Sequence, residues 1–261
     1  MNGMMNIAPQ LIEQWLRVSA DKRKRARLLS KFMGESISFS IFTNGTVLTE
    51  SDIRFLKNYK NIQIFFSLEG TEVETDLRRG SGVYACIVDK MKIMKKMTMF
   101  QAVSITVTPD NIQAVTSDRF IFELVSMGCC FFNFVEFEDI GGDSKSLKLN
   151  EAQRNQLAIS LVRLKSRYKS TIFTAFPSYE YKAGGCLAAG RGFFHINAYG
   201  DAEPCNFVPL SDTNVKGKSL LDAIESPLFQ KLRNDNILDA PQNGECALLS
   251  KKDELEELLR G

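Results

Sequence analysis

Three cysteines in the C-terminal third are the residues whose type and spacing most directly suggest chemistry. Eighteen residues that read as a β-hairpin separate Cys186 from Cys205, and forty more separate Cys205 from Cys246. The hairpin predicts that the first two thiols lie at the open end of one small ribbon. Small neighbours such as glycine let backbone amides approach sulfur, as iron-sulfur clusters and structural zinc require. Spacing alone leaves two interpretations: a metal or cluster site, or three unrelated thiols.

The other candidate reactive groups are fewer and weaker. His195 is the only histidine, so mechanisms that need two or more, such as those of His-rich zinc hydrolases, are excluded. Its place on an alternating strand favours a structural histidine over a ligand. Glu136 and Glu138 are either paired carboxylates for proton transfer or solvated acids at a strand end. The remaining cysteines are predicted to be buried thiols: Cys86, Cys129 and Cys130.

Alternating β and α segments must position these groups. Strands are predicted from the period-two pattern and β-branched or aromatic content, at 36–42, 61–67, 100–108, 130–137 and 170–175. Helices are predicted from three- and four-residue apolar spacing and capping signals, at 9–33, 49–59, 81–96, 116–127 and 150–168. Repeated β-α units predict a parallel sheet, open or rolled into a barrel, whose chemistry collects at the carboxyl ends of the strands.

The amino-acid composition of the sequence changes after about residue 176. Glycine and proline become frequent there, and a hairpin over 193–205 is followed by short helices near 219–224, 227–233 and 252–259. This pattern is typical of a second, smaller module. We therefore expect two domains: residues 1–176 as a β/α domain, and residues 177–261 as a small α+β domain that contains three cysteines.

Composition excludes several classes of protein. The chain has 261 residues and a formal charge of +2, so no net field attracts nucleic acid or an anionic membrane. A locally basic run at 21–27 reads as a solvated helix face. The longest uncharged stretch in the most apolar region, 124–135, has twelve residues, whereas a bilayer span needs about 18 to 20. Without a secretory signal near the start, we expect a cytoplasmic protein with reduced thiols.

The cysteine module resembles that of a known family. The segments GCLAAGRGFFHIN, GDAEPC and SPLF, at 185–197, 200–205 and 226–229, are similar to the SPASM or twitch extension of radical SAM proteins. That extension houses an auxiliary [4Fe-4S] cluster. The resemblance implies that Cys186, Cys205 and Cys246 are thiolate ligands of such a cluster, which leaves one iron site for another ligand.

The upstream domain resembles the radical SAM partial barrel. The segments TNGT, SLEG and TVT, at 43–46, 67–70 and 106–108, are similar to its third, fourth and fifth strand segments. The resemblance implies that Ser67 meets the ribose of S-adenosyl-L-methionine (SAM), that Arg79 lies near the SAM carboxylate or the site wall, and that Asn44 faces the cofactor. The alternative is that Asn44 and Ser67 form turns and Arg79 is solvated. Glu69 stands where the family usually has Asp.

Two family motifs do not occur in the 261 residues. Radical SAM enzymes hold the catalytic cluster with C-x3-C-x2-C and bind the SAM amino group with Gly-Gly-Glu-Pro, and neither motif is present. We therefore expect an N-terminally truncated member that lacks the first two barrel strands. Such a chain is expected to be inactive alone, because no cysteine triad leaves one iron open for SAM.

Two functions from different classes follow. In the first, the chain is an iron-sulfur protein of the radical SAM/SPASM type, whose full-length relatives use a 5′-deoxyadenosyl radical to modify a peptide or protein and take electrons from flavodoxin or ferredoxin. In the second, it is a non-catalytic module that binds a peptide or passes electrons and retains an auxiliary iron-sulfur or zinc site. Neither function involves nucleic acid or a membrane.

Overall fold

A computed structural model describes residues 38–140, 144–177, 184–239, 246–251 and 254–255. These residues divide into two compact units between positions 179 and 180. The predicted helix over 9–33 and most of the predicted helix over 252–259 lie outside the described residues. The two domain ranges, which include such residues, stay predictions.

The first unit contains a parallel sheet in which five strands are described. All neighbouring strands pair in parallel, in the order β1-β2-β3-β4-β5. The strands are β1 (Phe39–Thr43), β2 (Ile62–Leu68), β3 (Gln101–Val107), β4 (Phe131–Glu136) and β5 (Ile172–Phe176). Each lies within one or two residues of a predicted strand, apart from β1, which begins three residues later. The predicted α/β fold with a parallel sheet is confirmed.

Helices connect the strands of this sheet. They are α1 (Glu50–Leu56), α2 (Glu72–Arg79), α3 (Val83–Lys96), α4 (Ile112–Val115), α5 (Asp118–Ser126) and α6 (Glu151–Arg167). The predicted capping box at the start of α1 is present, with Thr49 accepting from the Asp52 amide. Helix α2 was not predicted, because its sequence EVETDLRR contains only two apolar residues, and a single pair at a four-residue spacing is a weak helix signal.

The two faces of the sheet differ in burial. Side chains on one face are almost entirely removed from solvent, including Phe66, Ile105 and Phe134, all at 0% exposure. Most side chains on the opposite face retain partial exposure, such as Ser67, Ser104 and Asn133. Because successive side chains on a strand point to opposite faces, the alternation in sequence decides which groups are covered and which remain reachable.

The second unit is built on a small antiparallel sheet. Its described strands are β6 (His195–Ile196), β7 (Asp201–Glu203) and β8 (Thr213–Asn214). Two short helices follow, α7 (Leu220–Ile224) and α8 (Pro227–Asn234). The predicted hairpin and both helices are confirmed, and β8 adds a third strand that the sequence pattern did not indicate. A buried apolar cluster that includes Phe229, Leu232 and Leu248 forms the core of this unit.

Within the part of the chain that the structure describes, every helix is too short or too polar to cross a bilayer.

Candidate functional site

The more exposed face of the parallel sheet carries a row of polar side chains that crosses four strands. Register pairs Ser67 of β2 with Ser104 of β3. It then pairs Ser104 with Asn133 of β4, and Asn133 with Thr174 of β5. The polar row is Ser67, Ser104, Asn133 and Thr174. All four residues are half-buried, and Thr174 Oγ1 donates to Asn133 Oδ1 at 2.9 Å. The row offers hydroxyl and carboxamide groups to a polar ligand.

Aromatic side chains lie beside the polar row on the same face, two residues earlier along the strands. Phe65 of β2 stacks on Phe42 of β1, with ring centroids 4.8 Å apart. Phe65 also meets the edge of Phe131 of β4, at 5.1 Å. Phe42 is 56% exposed, so the aromatic group is accessible. This face can contact both polar and planar apolar parts of one ligand.

A buried carboxylate follows β2 directly and binds two arginines. Arg78 Nη1 donates to Glu69 Oε2 at 2.6 Å. Arg79 Nε donates to Glu69 Oε1 at 2.8 Å, and Arg79 Nη2 contacts the same oxygen. Only 2% of the Glu69 side chain is exposed, against 45% for Arg78 and 26% for Arg79. Two guanidinium groups and one carboxylate give this cluster a net charge of +1 at the carboxyl end of β2.

Helix α2 explains how both arginines reach Glu69. The helix begins after Thr71, whose amide donates to Glu74 Oε2 at 2.8 Å in a capping box. Eight residues rise about 12 Å, and side chains tilt toward the helix N-terminus, so the long arginines extend back to the strand end. Gly70 allows the close approach, since its φ is +144° and a Cβ there would lie 2.8 Å from the Glu74 carboxylate.

Asn111 ties the ends of β2 and β3 together. Its Nδ2 donates to the carbonyl oxygens of Glu69 at 2.8 Å and Thr106 at 2.7 Å, and its Oδ1 accepts from the Thr108 amide at 2.8 Å. The residue is 4% exposed. Because one carboxamide satisfies three backbone groups, the strand ends next to Glu69 are held in one arrangement.

The three residues predicted to face SAM are found in different settings. Ser67 lies in the polar row, on the accessible face. Arg79 is partly exposed and ion-paired to Glu69, so it is not merely solvated. Asn44 is exposed, and its Oδ1 accepts from the amide and hydroxyl of Thr46, at 3.3 and 2.9 Å, which is the behaviour of a turn former. Their assignment as cofactor contacts stays a prediction.

The predicted cluster ligands share one buried region of the second unit. Cys186, Cys205 and Cys246 are 7%, 2% and 7% exposed and belong to the same apolar cluster. The Ala189 amide donates to the Pro204 carbonyl at 3.0 Å, which joins the loop after Cys186 to the residue before Cys205. The Phe207 amide donates to Cys205 Sγ at 3.5 Å. A sulfur that accepts an amide proton is suited to carry the charge of a thiolate ligand.

These cysteines match an iron-sulfur or zinc site in chemical type. Soft thiolates are the donors that both prefer. Within the described residues, no three His, Cys, Asp or Glu side chains are already gathered in the arrangement of a metal site. The three cysteines fit the group by donor type and burial, although they are not gathered in that arrangement, and their assignment as ligands stays a prediction.

The remaining cysteines have other surroundings. Burial raises the pKa of Cys129 far above its ordinary value, although its thiol donates to the Phe131 carbonyl at 3.4 Å. Burial also raises the pKa of Cys130. A thiol whose pKa is raised stays protonated at neutral pH. The prediction that both are structural agrees with this environment.

A second polar group lies on the small sheet. His195 Nδ1 lies 2.6 Å from Glu203 Oε2, and Asn197 Nδ2 donates to Glu203 Oε1 at 2.8 Å. Hydrogen bonds from Asn214 and then Asn197 hold the pKa of Asp201 below its ordinary value. An open cavity of about 500 Å³ is lined by Asn197, Asp201, Glu203, Pro209, Ser211, Asp212, Thr213 and Asn214. His195 thus has a partner within the strand pair, in line with a structural histidine.

Several of these residues were not predicted from the sequence. Ser104, Asn133 and Thr174 are polar positions inside predicted strands, and only register shows that they meet. The two arginines of the Glu69 cluster lie on α2, a helix that was not predicted from apolar spacing. Its capping signal, Thr71 followed by Glu74, and its acidic first turn and basic last turn were available in the sequence.

A curated protein is similar to this chain in sequence. No family model matches. A curated relative, the AdoMet-dependent heme synthase of Methanosarcina barkeri (strain Fusaro / DSM 804), is 22% identical over an alignment of 237 residues that covers 80% of this chain and 66% of that protein.

Solved structures share the fold. Streptococcus suis SuiB bound to its precursor peptide SuiA matches with a TM-score of 0.66 and 16% identity, over 87% of this chain and 59% of SuiB. SuiB bound to S-adenosylmethionine matches with a TM-score of 0.65 and 18% identity, over 87% and 60%. Native anSMEcpe with bound AdoMet and the Cp18Cys peptide matches with a TM-score of 0.61 and 14% identity, over 89% and 77%.

The chain thus has the fold of radical SAM/SPASM-type enzymes, the class that SuiB and anSME represent. The resemblance drawn from the sequence motifs is confirmed. The chain spans less than two thirds of the length of the heme synthase and of SuiB.

Proposed function

We propose that the chain is part of a radical SAM/SPASM-type protein that binds SAM against the accessible face of the parallel sheet and acts on a peptide or protein. One observation carries the proposal: Ser67 of the polar row comes two residues before Glu69, whose cluster with two arginines is net positive. Solved structures with the same fold have AdoMet or a peptide bound. Electrons would come from a reductant such as flavodoxin or ferredoxin, in the cytoplasm.

The chain's own residues would act by binding and orientation. The hydroxyls of Ser67 and Ser104 can exchange hydrogen bonds with ribose hydroxyls, and the half-buried aromatic group beside them can cover a planar base. Guanidinium groups at the strand end favour a ligand carboxylate. The buried opposite face and the Asn111 bridge keep these groups in fixed positions, which lowers the entropic cost of binding.

An auxiliary cluster belongs to the same proposal. Cys186, Cys205 and Cys246 would hold a [4Fe-4S] cluster as thiolates, and such a cluster supplies one-electron transfer when it is bound. The buried region around the cysteines would limit access of water to it.

A second candidate function has an observation in its favour. The 261 residues contain no C-x3-C-x2-C, so a protein made only of these residues has no thiolate triad for the catalytic cluster and should not cleave SAM reductively. Such a chain would be a peptide-binding or electron-transfer module that retains an iron-sulfur or zinc site.

Calorimetric titration with S-adenosylhomocysteine tests the SAM site. We expect saturable binding to the chain, weakened about tenfold by Ser67→Ala, since one lost hydrogen bond of about 1.4 kcal/mol changes affinity by that factor. Ser166→Ala, on the exposed side of α6, is the matched control and should leave affinity unchanged. Binding that is absent, or equally strong in Ser67→Ala, would contradict the proposed cofactor face.

Reductive cleavage of SAM by the reconstituted chain separates the two candidate functions. Release of 5′-deoxyadenosine from SAM and dithionite would reject the binding-module interpretation. Retention of intact SAM together with bound metal would favour it.

A further inference from the structure

We infer that Glu69 is a positioning residue that orders Arg78 and Arg79 so that they present a fixed positive charge to a carboxylate-bearing ligand. The inference deepens the proposed function and rests on it for the identity of the ligand. It concerns a residue at which the chain departs from the Asp usual in the family it resembles.

The first argument is the division of contacts on one carboxylate. Oε2 of Glu69 accepts from Arg78, and Oε1 accepts from Arg79. Each oxygen therefore serves a different arginine. Glutamate has one methylene more than aspartate, and the added reach lets a carboxylate that starts at the strand end bridge two successive residues of α2.

The second argument is the difference in exposure within the cluster. Glu69 has 2% of its side chain exposed, so it cannot itself take up a ligand from solvent. The arginines, at 45% and 26%, can do so. Glu69 uses Nε and Nη2 of Arg79 and Nη1 of Arg78, which leaves Nη1 of Arg79 and the other donors of Arg78 outside the contact. A held guanidinium with remaining donors is an anion-binding group.

The third argument is that two neighbouring acids, Glu74 and Asp76, are already engaged with backbone amides. Glu74 accepts from the Thr71 amide at 2.8 Å. Asp76 accepts from the amides of Gly82 and Tyr84 at 2.6 and 2.8 Å. Glu69 is thus the carboxylate on which the two arginines depend, and the Asn111 bond to its carbonyl fixes its backbone.

Two nucleosides test whether the ligand carboxylate is that of the cofactor. S-adenosylhomocysteine carries a carboxylate, whereas 5′-methylthioadenosine has the same nucleoside and thioether without it. We expect Glu69→Gln to weaken the binding of S-adenosylhomocysteine about tenfold, because the arginines lose the carboxylate that fixes them toward the ligand. The binding of 5′-methylthioadenosine should be unchanged. Glu69→Asp, which keeps the charge, should restore part of the affinity. Equal affinity of S-adenosylhomocysteine for the parent and Glu69→Gln would overturn the inference.

A spectroscopic readout tests the positioning without any nucleoside. The Arg79 Nε–H resonance, assigned by its loss in Arg79→Lys, should exchange slowly with water in the parent and be lost by fast exchange in Glu69→Gln. Glu123→Gln, which removes an exposed carboxylate paired with Arg119, is the control and should leave the resonance unchanged. An unchanged resonance in Glu69→Gln would show that Glu69 does not hold Arg79.

A third probe separates failure of the proposed function from failure of this inference. If neither nucleoside binds, the cofactor assignment fails, and acetate then serves as the carboxylate. A saturable shift of the Arg79 resonance with acetate, absent in Glu69→Gln, would support a carboxylate site for a ligand other than the cofactor. No acetate shift in the parent would overturn the inference. If Glu69→Gln does not fold, the same comparisons are made with Glu69→Asp. This variant should move the Arg79 resonance and lower the affinity for whichever probe binds the parent.

Discussion

Glu69 and Arg79 are joined through the Nε of Arg79 and Oε1 of Glu69, 2.8 Å apart, although ten positions separate them in the chain. The carboxylate is almost fully buried and the guanidinium is partly exposed. This difference makes the pair energetically asymmetric. Loss of the arginines leaves a buried charge without its partners, whereas loss of the carboxylate leaves cations that water can reach.

We expect the stability of variants in this cluster to follow that asymmetry. Arg78→Met combined with Arg79→Met should lower the free energy of unfolding by about 3 kcal/mol, because the Glu69 charge loses both ion-pair partners. Glu69→Gln should lower it by less. Urea denaturation measures both, and Arg119→Met, at an exposed ion pair, should change stability by under about 1 kcal/mol. A larger loss in Glu69→Gln than in the double variant would contradict the asymmetry.

Replacement of Asn111 tests the bridge between β2 and β3. Asn111→Ala should cost about 3 kcal/mol, since three backbone groups lose a partner worth about 1 kcal/mol each. Asn111→Asp should not rescue it, because a carboxylate would face the carbonyl oxygens of Glu69 and Thr106. The midpoint of urea unfolding is the measurement. Asn58→Ala, an exposed side chain at the end of α1, is the control, and a similar loss there would argue against a special role for Asn111.

Gly45 should tolerate alanine less well than Gly82. Both have positive φ, at +73° and +80°, and a left-handed residue other than glycine costs about 1 kcal/mol. A Cβ at Gly45 would lie 3.2 Å from Ile87 Cγ1, whereas nothing lies within 4 Å of one at Gly82. We expect Gly45→Ala to lower the melting temperature more than Gly82→Ala. Equal shifts would show that backbone strain alone matters at the turn after β1.

Alkaline pH should destabilise the first unit through Cys129. Its folded pKa is raised above the ordinary value of 9.0 by burial. Above pH 9 the unfolded thiol ionises while the folded thiol keeps its proton, so stability is full below that pH and falls as pH rises. The slope is at most about 1.4 kcal/mol per pH unit for one group. Cys130 and Tyr84, whose pKa values burial also raises, add in the same direction.

Replacement of Cys129 isolates its part of this dependence. Urea midpoints of the parent and of Cys129→Ala, measured at pH 8, 9 and 10, should converge as pH rises, because the variant lacks the titrating group. The absolute stability of Cys129→Ala is not the readout. A parallel decline of both proteins would mean that Cys129 does not contribute to the pH dependence.

Metal analysis tests the three cysteines of the second unit. After anaerobic reconstitution, the parent should hold about four irons with matching acid-labile sulfide, the composition of a [4Fe-4S] cluster. The variant with Cys186, Cys205 and Cys246 all changed to alanine should hold none. The matched control changes Cys86, Cys129 and Cys130 instead and should retain the iron. Zinc in place of iron, or no metal in either, would reject the cluster assignment.

Much of the local structure was predictable because it depends on near neighbours in the chain. The alternation in 100–108 and 130–137 identified β3 and β4, and the Thr49 capping pattern located α1. Helix α2 was missed because its sequence is mostly charged and has only two apolar residues, so its capping box and its charge distribution were the main signals. The motifs around Ser67 and Cys205 suggested the family before any fold was known, and the fold comparison confirms that resemblance.

The amino-acid sequence by itself determined the α/β class, the order of the five described strands of the parallel sheet, the candidate thiol ligands and the resemblance to radical SAM proteins. Only the tertiary structure decided that Ser67, Ser104, Asn133 and Thr174 form one row, and that Glu69 binds both arginines. The physical reason is that two features set which distant side chains meet. One is the register between strands, and the other is the direction of α2, whose arginines reach back to the end of β2. Register comes from backbone hydrogen bonds between strands and from burial of one sheet face. Alternation within one segment shows which of its residues share a face, but not which residues of the neighbouring strands lie beside them.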